Sequence, residues 1–213
     1  SQELYWYDVI LEVDGTNSDE FEETVDTYYS SVDFPEGVNM SFSSINLKGQ
    51  GFKETHILSF VSPSSQSLAN LRASLSGEKW ENYLDLVGPF VENVRVSAGN
   101  ATQVYNPEQF YPIGQVWSFK VKSKHVPQFS QAFAKLMQTF EAPGFVGLAN
   151  VTHGISNGEN LLIYGTYPNL NSAFTFGPKN ENEVKAFSVF NDLVGDISEF
   201  TQSWTRVLIK SYE

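Results

Sequence analysis

Asp-Leu-Val-Gly occurs twice in this chain, at Asp85-Leu86-Val87-Gly88 and again at Asp192-Leu193-Val194-Gly195, 192 − 85 = 107 positions later. A tetrapeptide alone is weak, but the repetition extends further. At an offset of 105, Lys48 to Ala69 runs without a gap against His153 to Phe174. Gly49 then meets Gly154, Glu54 meets Glu159, Pro63 meets Pro168 and Ser67 meets Ser172, while Ile57-Leu58 meets Leu162-Ile163. A 213-residue chain that repeats itself near its midpoint is expected to be two copies of one unit. Each copy, at roughly 100 residues, is long enough to bury a core.

Hydrophobic periodicity supplies the elements of each copy. Leu4 to Val13 alternates as a strand, with Tyr7, Val9, Leu11 and Val13 on one face and Trp6, Asp8, Ile10 and Glu12 on the other. Asn17 with Glu20 three residues on resembles a capping box, and Phe21, Val25, Tyr28 and Val32 follow at helical spacing until Phe34-Pro35-Glu36-Gly37. Strands over 40–47 and 55–61 flank the turn Lys48-Gly49-Gln50-Gly51. Leu68, Leu71 and Leu75 mark a short helix. A longer one runs from Glu78 to Val91, interrupted at Gly88-Pro89, and residues 101–105 are the fourth strand.

Asn106 to Gly114, with two prolines and a glycine, reads as a linker between repeats at 1–105 and 115–213. The cycle then restarts. Trp117, Phe119 and Val121 alternate, and Pro127 opens a helix carrying Phe129, Phe133, Leu136, Met137 and Phe140. Strands over 145–152 and 160–167 flank Asn157-Gly158, a helix spans 181–200, and 206–212 is the last strand. Each half is βαββαβ, an order that favours an antiparallel sheet with two helices on one face.

Charge narrows the partners. Against 13 Lys and Arg stand 25 Asp and Glu, a balance of −12, and eleven acids precede the first basic residue, Lys48. Such a field repels phosphate backbones and anionic lipid, so neither nucleic acid nor a membrane surface is the expected partner. Without cysteine there is no disulfide frame, thiolate nucleophile or cysteine-held metal. No apolar run reaches the 18 or so residues of a membrane span. A chain that opens at Ser1 and enters a strand almost at once fits export after removal of a leader, periplasmic or secreted, with the cytoplasm as the alternative. Dinucleotide, phosphate-loop, zinc-protease and serine-hydrolase motifs are all missing.

Two tandem βαββαβ units resemble the dimeric α+β barrel proteins, a ferredoxin-like group that includes antibiotic-biosynthesis and haem-degrading monooxygenases. The resemblance rests on element order and internal repetition. It implies an α+β fold in which two antiparallel sheets face each other within one chain, as a pseudo-dimer that is a monomer or a weak homo-oligomer. The inter-sheet space would then take a small apolar or aromatic ligand, with Trp6, Ile10, Leu58, Phe60 and Tyr164 as ligand-binding candidates.

A catalytic alternative is a cofactor-free or haem-dependent monooxygenase or isomerase that uses His56, His153 and Asp8. Imidazole can ligate haem iron or act as a base near neutral pH, and haem-binding members of the group use a histidine. His56 lies in phase with Leu58 and Phe60, which directs it into the barrel if they point there. His125, in a Lys-rich segment, reads as surface. Asp8 beside Trp6 is a candidate buried acid with a raised pKa. A solid barrel acting as a structural or interaction module is the third reading.

Overall fold

A computed structural model describes residues 3–213. Eight strands and six α-helices follow in the order β1 (Leu4–Val13), α1 (Ser18–Tyr29), β2 (Asn39–Lys48), β3 (His56–Ser62), α2 (Ser65–Ser74), α3 (Glu78–Val87) and β4 (Val91–Tyr105). The second half continues with β5 (Ile113–Val121), α4 (Val126–Met137), β6 (Val146–His153), β7 (Leu161–Tyr167), α5 (Leu170–Phe174), α6 (Glu181–Val194) and β8 (Ser198–Tyr212). The strands close into one antiparallel barrel in the order β1-β3-β2-β8-β5-β7-β6-β4. The two sets of four strands are thus joined edge to edge, β2 to β8 and β4 to β6, and neither keeps an open edge.

Helices cover the barrel's outside. Phe21 and Val25 of α1, Leu71 of α2 and Tyr83 of α3 bury against Leu11, Met40, Phe42, Leu58 and Phe60. Phe129, Phe133 and Leu136 of α4 and Phe190 of α6 bury against Val121, Val146, Leu148 and Leu161. The interior holds separate clusters, Ile10, Ile45, Ile57, Val116 and Trp204 in one and Trp6, Ala101 and Ala149 in the other. Both strand faces are therefore buried.

The repeated positions share their local chemistry. Ser64 caps α2 by accepting from Ser67 N, and Asn169, 105 residues on, caps α5 by accepting from Ser172 N. Val87 and Val194 of the repeated tetrapeptide are both buried at helix ends, with Gly88 and Gly195 as the following residues.

Four boundaries differ most from expectation. The final helix ends at Val194, not 200, and β8 begins at Ser198 instead of 206. Likewise α3 stops at Val87, a 3-10 turn spans Gly88–Phe90, and β4 starts at Val91, ten residues before the expected strand. These two 15-residue strands carry register shifts, and the mixed polar stretches beyond the expected strands are held by a long-range neighbour, Val91–Ser97 by β1 and Ser198–Ser203 by β5. The Asn17 capping box does not form. Asp14 accepts from Thr16 N instead, and opens a 3-10 turn one step earlier.

Candidate functional site

An eight-stranded barrel is just wide enough for its interior side chains to fill it. Here several inward positions are small, among them Ser59, Ser97, Ala101, Ser118, Gly147 and Ala149. They leave a cavity of about 140 Å³ open to the centres of water molecules, room for several waters at roughly 30 Å³ each. Trp6, Trp204, Phe110 and Phe145 form much of its wall, and Asp8, Arg206, Tyr164, Arg95 and Glu159 are its ionisable members.

Register decides which side chains reach it. Cross-strand partners share a face. Trp6, Asp8 and Ile10 pair with Val61, Ser59 and Ile57, and all six line the cavity. Tyr7, Val9 and Leu11 pair with Phe60, Leu58 and His56, which therefore turn to the helices. Trp6, Ile10, Asp8 and Tyr164 thus stand in the cavity wall, whereas Leu58 and Phe60 are core of the outer layer.

His56 is a correction of the same kind. It is 3% exposed, on the α1 side. Its ring lies 5.0 Å from Phe21 and 5.8 Å from Phe42. Nε2 sits 2.8 Å from Glu22 Oε1, and Nδ1 sits 2.8 Å from Thr55 Oγ1. The Glu22 carboxylate can only accept, so Nε2 carries the proton and Nδ1 accepts from the threonine hydroxyl. Burial lowers the imidazole pKa against the pull of Glu22, in keeping with a neutral, fully engaged ring. His153 is exposed at the end of β6, with Nδ1 3.0 Å from Thr152 Oγ1. No histidine lines the cavity, so its donor set does not fit a histidine-ligated haem. No cluster of His, Asp and Glu suited to a metal ion occurs among the described residues.

Two polar pairs occupy the interior. On one side Ser59 Oγ donates to Asp8 Oδ1 at 2.5 Å. On the other, Arg206 donates to Tyr164 Oη and, at 3.2 Å, to Ser43 Oγ, with its guanidinium 5.1 Å from the Phe110 ring centre and 5.3 Å from that of Tyr164. Arg206 is 2% exposed, and no carboxylate lies within ion-pair distance of it among the described residues. Asp8 keeps some open surface, but that surface faces the cavity. Desolvation raises its carboxyl to about 6, opposed by the Ser59 hydrogen bond and by the charges of Arg206 and Arg95. Burial also raises the Tyr164 phenol, against Arg206.

The Asp8 proton has a measurable consequence. The folded chain binds it more tightly than the unfolded chain, about 6 against 3.8. The stability it contributes is complete below pH 3.8 and is lost as pH rises through 6, a change of at most about 3 kcal/mol. Asp8→Asn cannot titrate. In urea midpoints taken from pH 4 to 7, wild type should lose ground relative to Asp8→Asn across this window. His56 shifts with the opposite sign but is common to both proteins and cancels. Parallel profiles would show that cavity water already solvates the carboxylate.

The repeat explains the asymmetry of the site. Asp8 pairs with Ser59 and Ser97, and in the second half Val116 pairs with Tyr164 and Trp204. Trp6 faces Gly99, whereas Gly114 faces Arg206, so large and small have changed places. A Cβ at Gly99 would overlap the Asn150 carbonyl oxygen and lie 2.8 Å from the Trp6 ring, and one at Gly114 would lie 2.5 Å from Tyr164 Oη and 2.8 Å from Arg206 Nε. Glycine is thus required at 99 by the backbone opposite as well as by Trp6, and a side chain at 114 would displace the Tyr164–Arg206 pair. The Trp6 Nε1 donor, buried in the wall, has no acceptor among the described residues.

Glu54 and Glu159, matched by the repeat, sit at the barrel's hairpin end. Glu54 Oε1 is 2.7 Å from Arg95 Nε, and Glu159 takes 2.6 and 3.2 Å bonds from Thr201 and Gln202. Arg95 pairs with Ile10 and Gln202 with Ser118, which are equivalent places, so the same contact is kept with one ion pair made neutral. Arg206, Tyr164's partner role and Ser59 were not apparent as site residues. A lone arginine within an apolar strand run was the available signal.

No family model matches the chain, and no curated protein is similar to it in sequence. Solved structures do share its fold. A candidate monooxygenase from Lactobacillus acidophilus NCFM superposes with a TM-score of 0.67 at 12% identity, covering 100% of this chain and 96% of that one. A candidate monooxygenase from Fusobacterium nucleatum gives 0.67 at 14% identity, covering 99% and 94%. An anthrone oxidase-like protein gives 0.63 at 10% identity, covering 99% and 93%. A chlorite dismutase from Candidatus Nitrospira defluvii gives 0.53 at 10% identity, covering 96% and 90%. Identities this low speak to architecture. The chain has the dimeric α+β barrel fold.

Proposed function

We propose that the barrel binds a small, flat, largely aromatic molecule and that an ionisable oxygen of this guest rests on Arg206 and Tyr164. The observation that carries the reading is Arg206 itself. A guanidinium buried to 2% exposure with no carboxylate in ion-pair range is costly to leave uncompensated, and it lines the cavity. The aromatic wall supplies the remaining affinity, and a guest oxygen reaching Trp6 would satisfy its indole N–H. The chain itself is read as two ferredoxin-like units fused into one pseudo-dimer, which is how a single asymmetric site arises from a repeated sequence.

Titration with 2-naphthoate and its neutral counterpart 2-naphthamide tests this reading, with intrinsic tryptophan fluorescence as the signal. The anion should bind at least tenfold tighter, the value of one charged hydrogen bond. Equal affinities would remove the role assigned to Arg206. Absence of binding by both, together with no extra mass in native mass spectrometry of protein from its own host, would favour a solid structural barrel.

A catalytic reading is favoured by one further observation: Asp8 shares the cavity and its carboxyl lies near 6, suited to take a proton near neutral pH. Asp8 would accept a proton from a guest carbon while Arg206 and Tyr164 hold the charge that develops on the guest oxygen. Reprotonation at another carbon is an isomerisation. Reaction of a methylene carbanion with dioxygen, followed by loss of water, yields a carbonyl, the balance being CH2 + O2 → C=O + H2O. The names of the structural neighbours, monooxygenase and anthrone oxidase-like, agree with the oxidative form.

A further inference from the structure

The barrel cavity continues outward into a second, polar basin of about 780 Å³ at the hairpin end. Arg95, Ser156, Glu159 and Gln202 line both spaces, so the two adjoin across these four side chains. The basin's character differs from that of the interior. Its charges are already engaged: Glu54 with Arg95, Lys48 Nζ with the Glu54 carbonyl at 2.5 Å, and Glu159 with Thr201 and Gln202. Its two cations, Lys48 and Arg95, balance its two anions, Glu54 and Glu159, so the basin has no excess of either sign to select a charged group. Gln50, Ser156, Asn157 and Ser203 line the basin with side chains that make no hydrogen bond among the described residues, and each can both donate and accept. Phe52, half-buried, gives the basin an aromatic floor, with the Arg95 guanidinium 5.6 Å from its ring centre and Trp204 at 5.8 Å.

Groups that donate and accept at once, around an aromatic floor and with their charges in balance, suit neutral hydroxyls, which do the same. We infer that the guest is an amphiphile: its aromatic body and acidic oxygen enter the barrel, and a neutral hydroxylated head, of glycosyl or polyol type, sits in the basin against Phe52, Gln50 and Asn157. The inference rests on the reading of the barrel as a ligand site and adds the second half of the ligand to it.

Esculetin, a dihydroxycoumarin, and esculin, its glucoside with one phenol still free, form a matched fluorescent pair for the test. Esculin should bind about tenfold tighter than esculetin, the worth of one or two added hydrogen bonds. Phe52→Ala with Asn157→Ala should bring esculin down to the esculetin value while leaving esculetin itself unchanged, which also shows that the variant is folded. If esculetin binds and esculin binds no tighter, or if the double variant leaves the preference intact, the hydroxylated head is wrong and the cavity reading stands. If neither compound binds, the cavity reading and this inference fall together.

Discussion

Replacing Arg206 by methionine is expected to weaken 2-naphthoate binding by roughly ten- to hundredfold, since a hydrogen bond to a charged group is worth about 1.5–3 kcal/mol. Methionine reproduces the apolar stem as far as about Nε and leaves the place of the guanidinium beside Phe110 and Tyr164 open. Removing a buried charge that has no carboxylate partner should leave the unfolding midpoint unchanged or raised. Affinity and stability therefore move independently, which a merely structural arginine would not allow. Arg206→Lys should fall between the two, because an ammonium keeps the charge but cannot span Ser43 and Tyr164 as the planar fork does. Equal affinities of wild type and Arg206→Met for 2-naphthoate would refute the site.

The second large effect belongs to the outer layer. Phe21→Ala should cost about 3–5 kcal/mol of stability, the range for truncating a fully buried phenylalanine. Phe21 is 1% exposed and touches Phe42 and His56 at ring distances of 6.1 and 5.0 Å, so its loss opens a hole between α1 and the barrel that rigid strands cannot close. Per folded molecule, 2-naphthoate affinity should stay at the wild-type value. Denaturant midpoints and titration below the transition measure the two quantities. A matching loss of affinity would mean that the helix layer and the interior are coupled through β3, and the separation drawn between them would be wrong.

Much of the fold was legible because periodicity and turn chemistry are local. The hairpin glycines and the strand and helix order in both halves follow from short stretches. The long strands β4 and β8 were read too short for the opposite reason. Their polar stretches are held by partners that lie far away in sequence, β1 along Val91–Ser97 and β5 along Ser198–Ser203. Asp8 and Trp6 could be singled out because their face of β1 mixes an acid with an aromatic. Leu58, Phe60 and His56 were assigned to the interior because a strand buried on both faces offers no polar side to mark the outside.

The sequence by itself indicated an α+β chain whose spacing repeats near its midpoint, set the expectation of a partner other than nucleic acid or an anionic surface, and excluded chemistry on cysteine. Those properties reside in composition and local spacing. Only the tertiary structure decided which face of each strand looks inward. Side-chain direction alternates with every residue, so pairing of β1 with β3 in one register sends Ser59 to Asp8 and His56 to Glu22. It alone also brought Arg206, 206 − 8 = 198 positions from Asp8, into the same cavity, because barrel closure joins the last strand to the first half through β2.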